Sequence, residues 1–155
     1  MAVLHFLMIL LFSLVLAAFV FAMWRVFGTV SAMAVFLSIL SSSWLILFSG
    51  SIYWLVFADF LPFSFAWVLY PHLRSRFWLF AFALGFLVFF KALSGYEYMT
   101  NVVLSALVPV IYYEFRKGVY WKEIAMKACQ IAFVGMLGFL IALVMHLFQL
   151  AKYAG

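Results

Sequence analysis

The chain is built from long apolar runs that are separated by short clusters of basic residues. Apolar residues make up 72% of its 155 residues, charged residues only 8%, and the mean hydropathy is +1.29. A soluble domain is about half apolar, so this chain has too little polar surface to face water. In a bilayer every backbone amide must be paired internally, and helices satisfy that requirement. The composition therefore predicts an all-helical, polytopic integral membrane protein.

The spacing of the charged clusters predicts a bundle of about six membrane spans, within a range of about four to six, because a helix needs about 20 residues to cross a bilayer. This leaves no length for a separate soluble domain, so residues 1–155 are expected to form a single transmembrane helical domain. The weakest boundary is at residues 49–51, where a missing turn would merge two spans. The expected apolar runs are residues 3–24, 29–48, 52–70, 77–93, 102–113 and 124–150.

The positions of Lys and Arg predict the orientation, since cytoplasmic loops carry an excess of both. With the loops near residues 25, 74–76 and 116–122 in the cytoplasm, both termini are extracytoplasmic. The net charge of +5 is then explained by membrane orientation, with the lipid bilayer as partner and no nucleic acid. The basic residues expected on the cytoplasmic side are Arg25, Arg74, Arg76, Arg116, Lys117, Lys122 and Lys127.

Two charged residues lie inside apolar runs. Asp59 is expected about 10 Å from the outer end of its run, where a carboxylate usually faces a partner, a cavity or a proton path. The alternative is an acid satisfied locally by a Ser or Tyr hydroxyl. Lys91 lies near the outer end of the next run, where it either snorkels to the headgroups or pairs with Asp59. A short basic turn joins these two runs, which predicts antiparallel neighbours with both charges in the outer half.

Residues 94–101 form a polar loop that concentrates hydrogen-bonding groups on the outer side. Tyr96 and Tyr98 suit the aromatic belt of a membrane interface, and Glu97 is the only acidic residue expected outside. The residues predicted to line one shared cleft are Asp59, Lys91, Tyr96, Glu97 and Tyr98.

The sequence predicts no cofactor and no metal. Cys129 is the only cysteine, which excludes disulfides within the chain and cysteine-based clusters. The three histidines do not form a pattern that predicts a haem site, and none of the motifs of soluble-type catalytic sites is present.

Small residues at helical spacing predict association with other membrane protein subunits. Ala34, Ser38 and Ser42 recur every four residues, and Gly135 and Gly138 offer a second face. Small residues let membrane helices approach closely, so both faces are candidate contacts with a partner.

Aromatic, proline and polar positions within residues 41–121 form a further pattern. Its positions are Ser43-Trp44, Tyr53-Trp54, Leu61-Pro62-Phe63, Tyr70-Pro71, residues 89–98, Thr100-Asn101, Pro109 and Tyr112-Tyr113. This pattern resembles a segment of large polytopic bacterial membrane proteins of the GT-C glycosyltransferase type. Proteins of that type are several times longer, so the resemblance implies a fragment or a reduced relative.

The resemblance implies a location in the bacterial inner membrane and a role in cell-surface glycan assembly. The chain would handle a polyprenyl-phosphate sugar on the outer face, with Asp59 or Glu97 as the catalytic base. Lys91 would meet the lipid phosphate, and the residues expected to bind the rest of the substrate are Tyr96, Tyr98 and Asn101.

A second class of function needs no chemistry from this chain. The protein would be a non-catalytic integral subunit or scaffold of a larger membrane complex, with Asp59 as an interhelical contact. The sequence fits both an enzyme and a non-enzymatic subunit. Genes for glycan assembly beside its own, or genes for a membrane complex, would discriminate between the two.

Overall fold

The computed structural model describes residues 2–49, 51, 55–96 and 98–154, and this part of the chain is helical with short connections. It contains seven α-helices and a 3-10 turn, Arg74–Arg76, between α4 and α5. The all-helical prediction is confirmed. The helices are α1 Ala2–Phe27, α2 Thr29–Leu40, α3 Ser43–Phe48, α4 Val56–Leu73, α5 Phe77–Ser94, α6 Met99–Arg116 and α7 Trp121–Ala154.

Three helical segments of the described residues are long and apolar enough to cross a membrane. They are Ala2–Phe27, Val56–Ser94 and Trp121–Tyr153. Large apolar side chains also face outward from the bundle. Exposure of these side chains to water would be unfavourable. Examples are Phe82, Phe133 and Phe148, which are 63%, 62% and 72% exposed. These features are those of an integral membrane protein, while the count of six spans stays a prediction.

The segment Val56–Ser94 is a helical hairpin. A straight helix of its 39 residues would be about 58 Å long at 1.5 Å per residue. Instead Asp59 and Lys91, near its two ends, are in contact, with 3.1 Å between Oδ1 and Nζ. The chain reverses at Arg74–Arg76, so α4 and α5 are antiparallel neighbours, as the sequence predicted.

Pro71 does not end α4, although the sequence predicted a turn at residues 71–76. The helix continues to Leu73. Proline has no N–H group and therefore leaves the carbonyl of Trp67 without its helical donor. The hydroxyl of Tyr113 donates to this carbonyl at 3.3 Å. A side chain of α6 thus supplies the hydrogen bond that Pro71 cannot make.

The apolar run over residues 29–48 is not one continuous helix, because two serines divide it into α2 and α3. The hydroxyl of Ser41 donates to the carbonyl of Leu37 at 2.8 Å. The hydroxyl of Ser42 accepts from the amide of Leu45 at 3.4 Å and caps α3. Serine side chains that bond to nearby backbone compete with helix continuation, which a count of apolar residues does not register.

Two further boundaries differ from the sequence prediction. The third run begins as α4 at Val56, and residues 52–54 lie outside the described part of the chain. α6 begins at Met99 and extends to Arg116, so Asn101 belongs to a helix rather than to the polar loop.

Helices α1, α4 and α6 end, and α5 and α7 begin, at the same end of the bundle, which collects basic residues there. Arg25 lies in the last turn of α1 and Arg116 in the last turn of α6, beside the turn Arg74–Arg76. Phe27 packs on Trp67, with 5.6 Å between ring centroids, so α1 and α4 end side by side. Helix α1 begins, and helix α7 ends, toward the opposite end of the bundle. The residues of this basic end are Arg25, Arg74, Arg76, Arg116, Lys117, Lys122 and Lys127.

Helices α5 and α7 approach each other closely at two glycines. A Cβ atom on Gly138 would lie 2.5 Å from the carbonyl oxygen of Gly85. Small residues allow this approach, and the van der Waals contact it creates stabilises helix pairs in lipid. Gly138 packs within the chain, so the predicted association with other subunits does not depend on it.

Gly138→Ala is expected to destabilise the bundle, because the added methyl group must push the backbone of α5 away from α7. Overpacking of this kind costs about 1–3 kcal/mol. Thermal unfolding in mild detergent, followed by loss of the monodisperse chromatographic peak, measures the effect. Gly135→Ala is the matched control, since its Cβ would lie 3.4 Å from Val103 in ordinary contact. Equal melting temperatures for the two variants would contradict the close approach.

Candidate functional site

Asp59 and Lys91 form an ion pair at the end of the bundle opposite the basic end. Oδ1 of Asp59 lies 3.1 Å from Nζ of Lys91. The side chain of Lys91 is 3% exposed and that of Asp59 is 18% exposed, so the carboxylate is the more accessible partner. The predicted pairing is confirmed. The alternative of a snorkelling lysine is wrong, because a snorkelling ammonium would be exposed.

Both charged groups lie at helix ends. α4 begins at Val56, which puts Asp59 in its first turn, about 5 Å along the helix instead of the expected 10 Å. Lys91 lies in the last turn of α5. A helix carries partial positive charge at its N-terminus and partial negative charge at its C-terminus, so each group is also favoured by its own helix.

A cavity of about 380 Å³ opens beside Asp59 and is bounded by α3, α4 and α6. We call it the Asp59 cavity. Three of the predicted site residues, Asp59, Tyr98 and Asn101, line it. The other lining residues are Trp44, Phe60, Phe63, Val102 and Ser105. A mostly apolar, partly aromatic wall with a few convergent polar groups is typical of small-molecule sites.

Of the other residues of the predicted cleft, Lys91 and Tyr96 do not line this cavity. Tyr96 turns to α7, where its hydroxyl hydrogen-bonds Nδ1 of His146 and its ring packs on Phe139, 5.7 Å between centroids. The prediction that Tyr96 shares a cleft with Asp59 is wrong, because the side chain of Tyr96 packs on α7. Lys91 contacts the cavity only through Asp59. Glu97 lies outside the described residues.

The backbone is strained where the chain enters the cavity wall. Leu55 and Tyr98 have φ angles of 37° and 61° and immediately precede α4 and α6. Left-handed backbone is unfavourable for residues with a Cβ atom, and such strain clusters at functional sites. Tyr98 is thus held in a costly conformation at the rim of the cavity.

The basic end contains a second charged centre, which is built around Glu114. This carboxylate is fully buried and receives a hydrogen bond of 2.5 Å from the hydroxyl of Tyr70. Arg74 binds both of its oxygens, Nε to Oε1 at 2.5 Å and Nη2 to Oε2 at 2.9 Å. Nζ of Lys127 lies 3.0 Å from Oε2. The contacts join α4, the 3-10 turn, α6 and α7.

Sequence reasoning missed this centre, because Glu114 follows an apolar run and reads as the start of a charged loop. A helical signal was available. Ala106, Val110 and Glu114 recur every four residues, and all three are fully buried in α6. Extending the apolar face by one more turn would have put Glu114 inside the bundle.

The charged groups of the described residues do not form a metal site, since no three of their His, Cys, Asp or Glu side chains group together. Their chemistry is that of ion pairs and hydrogen bonds. Fold and sites define the class as a polytopic helical membrane protein with a charged centre at each end. Comparison with known proteins gives no match to a family model, a curated protein or a solved structure.

Glu114→Gln is expected to destabilise the protein by about 3–5 kcal/mol, because it leaves Arg74 and Lys127 without a counter-charge near a buried amide. Glu123→Gln is the control, since Glu123 lies in the first turn of α7 and is exposed. The measurement is the midpoint of unfolding in detergent. A Glu114→Gln midpoint equal to that of the control would show that the centre contributes nothing to stability.

Lys91→Met is expected to lower the melting temperature more than the double change Asp59→Asn with Lys91→Met. The single variant leaves a half-buried carboxylate without its cation, whereas the double variant removes both charges. Thermal denaturation of the three proteins in the same detergent completes the comparison. A double variant less stable than Lys91→Met would mean that Asp59 is stabilised by other groups.

Proposed function

We propose that the Asp59 cavity binds the sugar head of a lipid-linked sugar and that the protein acts in cell-surface glycan assembly. The observation that carries this proposal is the grouping of Asp59, Tyr98 and Asn101 in one cavity with aromatic side chains. Carboxylate and amide groups hydrogen-bond sugar hydroxyls, and aromatic faces pack on the apolar faces of sugar rings. A volume of about 380 Å³ suits one sugar ring.

The Asp59–Lys91 pair suits Asp59 to the role of a general base. Lys91 Nζ lies 3.1 Å from Oδ1 of Asp59 and orients the carboxylate, and a positioned carboxylate can accept a proton from a substrate hydroxyl. Asp59 is also exposed enough, at 18%, to meet a ligand from the cavity side. Lys91 then acts by holding Asp59 in place. Glu97, the other acid that the GT-C resemblance implies, remains the alternative base in this proposal.

The proposed orientation in the membrane follows from the positive charge of the basic end. Seven of nine Lys and Arg residues gather there, and such residues mark the cytoplasmic side. The Asp59 cavity and both termini then lie on the extracytoplasmic side, and the proposed substrates are polyprenyl-phosphate sugars of the outer leaflet. We assign the chain to the bacterial inner membrane on the GT-C resemblance.

A non-catalytic subunit of a membrane complex is the second candidate function, and one observation favours it. Ala34 and Ser38 are exposed on α2, and together with Ser42 they line an open groove of about 420 Å³. Polar and small side chains facing lipid gain from contact with another helix. In this reading Asp59 and Lys91 only hold α4 against α5.

Asn101→Ala is expected to weaken binding of a polyprenyl-phosphate sugar by about threefold to tenfold, the loss of one hydrogen bond. Native mass spectrometry of the full chain in detergent gives the bound fraction at each ligand concentration. Thr100→Ala is the matched control, because the adjacent Thr100 does not line the cavity. Equal losses in the two variants would contradict the site. No binding by the unmodified chain would favour the subunit function.

A further inference from the structure

A second cavity, of about 190 Å³, lies at the basic end and is bounded by α1, α4 and α6. We call it the basic cavity. Its wall carries the side chains of Arg25, His72 and Arg116, and no carboxylate lines it. It lies at the other end of the bundle from the Asp59 cavity, so the function proposed above does not involve it.

The two arginines of the basic cavity have no counter-charge. Within residues 2–49, 51, 55–96 and 98–154, no ion pair includes Arg25 or Arg116. Glu114 is occupied by Arg74 and Lys127 in the neighbouring charged centre. Like charges around a confined space repel, and an anion between them would turn that repulsion into attraction.

A buried donor in the same wall also lacks an acceptor. Trp67 is 5% exposed, and its indole Nε1 has no hydrogen-bond partner in the described part of the chain. Its ring is held by Phe27 and Tyr112, with centroids at 5.6 and 5.4 Å. A buried N–H group without an acceptor is unfavourable. An oxygen-bearing anion in the cavity would supply the acceptor, since Trp67 lines it.

We propose that the basic cavity binds the phosphate group of an anionic membrane lipid. Planar guanidinium groups bind phosphate oxygens in pairs, and two of them converge here. Basic pockets between membrane helices bind lipid head groups in this way. Phe21, which is 48% exposed, continues the wall onto the outward face of α1 and gives an acyl chain an apolar surface.

Arg25→Gln and Arg116→Gln are each expected to weaken binding of phosphatidic acid by about tenfold, because each removes charged hydrogen bonds to phosphate. The full chain in mild detergent is titrated with phosphatidic acid, and native mass spectrometry counts the bound lipid. Arg76→Gln is the matched control, an exposed arginine of the same end that does not line the cavity. Trp67→Phe keeps an aromatic ring and is expected to cost about threefold through the lost donor.

Four results would overturn the proposal. They are an equal loss in Arg76→Gln, equal binding of zwitterionic phosphatidylcholine, full affinity in Trp67→Phe, and displacement of the lipid by inorganic phosphate at equal concentration. The last would assign the cavity to a soluble phosphate instead of a lipid. If an arginine variant does not elute as the unmodified chain does, the result for Trp67→Phe decides. Asn101→Ala should bind phosphatidic acid normally, so failure of this proposal and of the sugar site are distinguishable.

Discussion

The carboxylate of Glu114 holds together the basic end of the bundle. It is fully buried, and an isolated charge at such a site would be strongly unfavourable. Tyr70 and Arg74, from the end of α4 and the turn after it, compensate the charge together with Lys127 of α7. Because the carboxylate requires all of these donors, the positions of α4, α6 and α7 depend on one another. The Arg74 contact also fixes where the α4–α5 hairpin turns.

The Asp59–Lys91 ion pair holds together the other end of the α4–α5 hairpin. Asp59 and Lys91 join the first turn of α4 to the last turn of α5. Between the two charged centres α5 and α7 are held by their complementary shape at Gly85 and Gly138. This division follows from the solvent, since lipid gives little hydrophobic driving force between helices and leaves packing and polar contacts to orient them.

The chain has few acidic residues, and their positions explain why the two cavities differ in charge. There are only four Asp and Glu against nine Lys and Arg. Glu114 neutralises two cations at the basic end, which leaves Arg25 and Arg116 uncompensated around the basic cavity. At the other end Asp59 meets one cation and still faces a cavity. The two cavities therefore differ in charge and suit different ligands.

Much of the architecture could be deduced from residue order. Helical class follows from composition, because lipid requires internal backbone pairing, and the α4–α5 hairpin follows from a short basic turn between apolar runs. Counting residues along those antiparallel helices left the Asp59–Lys91 pair as one of two alternatives for Lys91, and the structure decided for the pair. Local backbone chemistry was harder to deduce, as the serines between α2 and α3 and the continuation of α4 past Pro71 illustrate.

Long-range partners could be assigned only in three dimensions. Glu114 meets Tyr70 and Arg74, which are 44 and 40 residues away, and Tyr96 meets His146, which is 50 residues away. Residue spacing within a helix gives the face on which a side chain lies, but not the rotation of one helix against another. That rotation is set by the packing of the whole bundle. It brought Asn101 and Tyr98 to Asp59, turned Tyr96 toward α7, and put Trp67 beside two arginines that form no ion pair within the described residues.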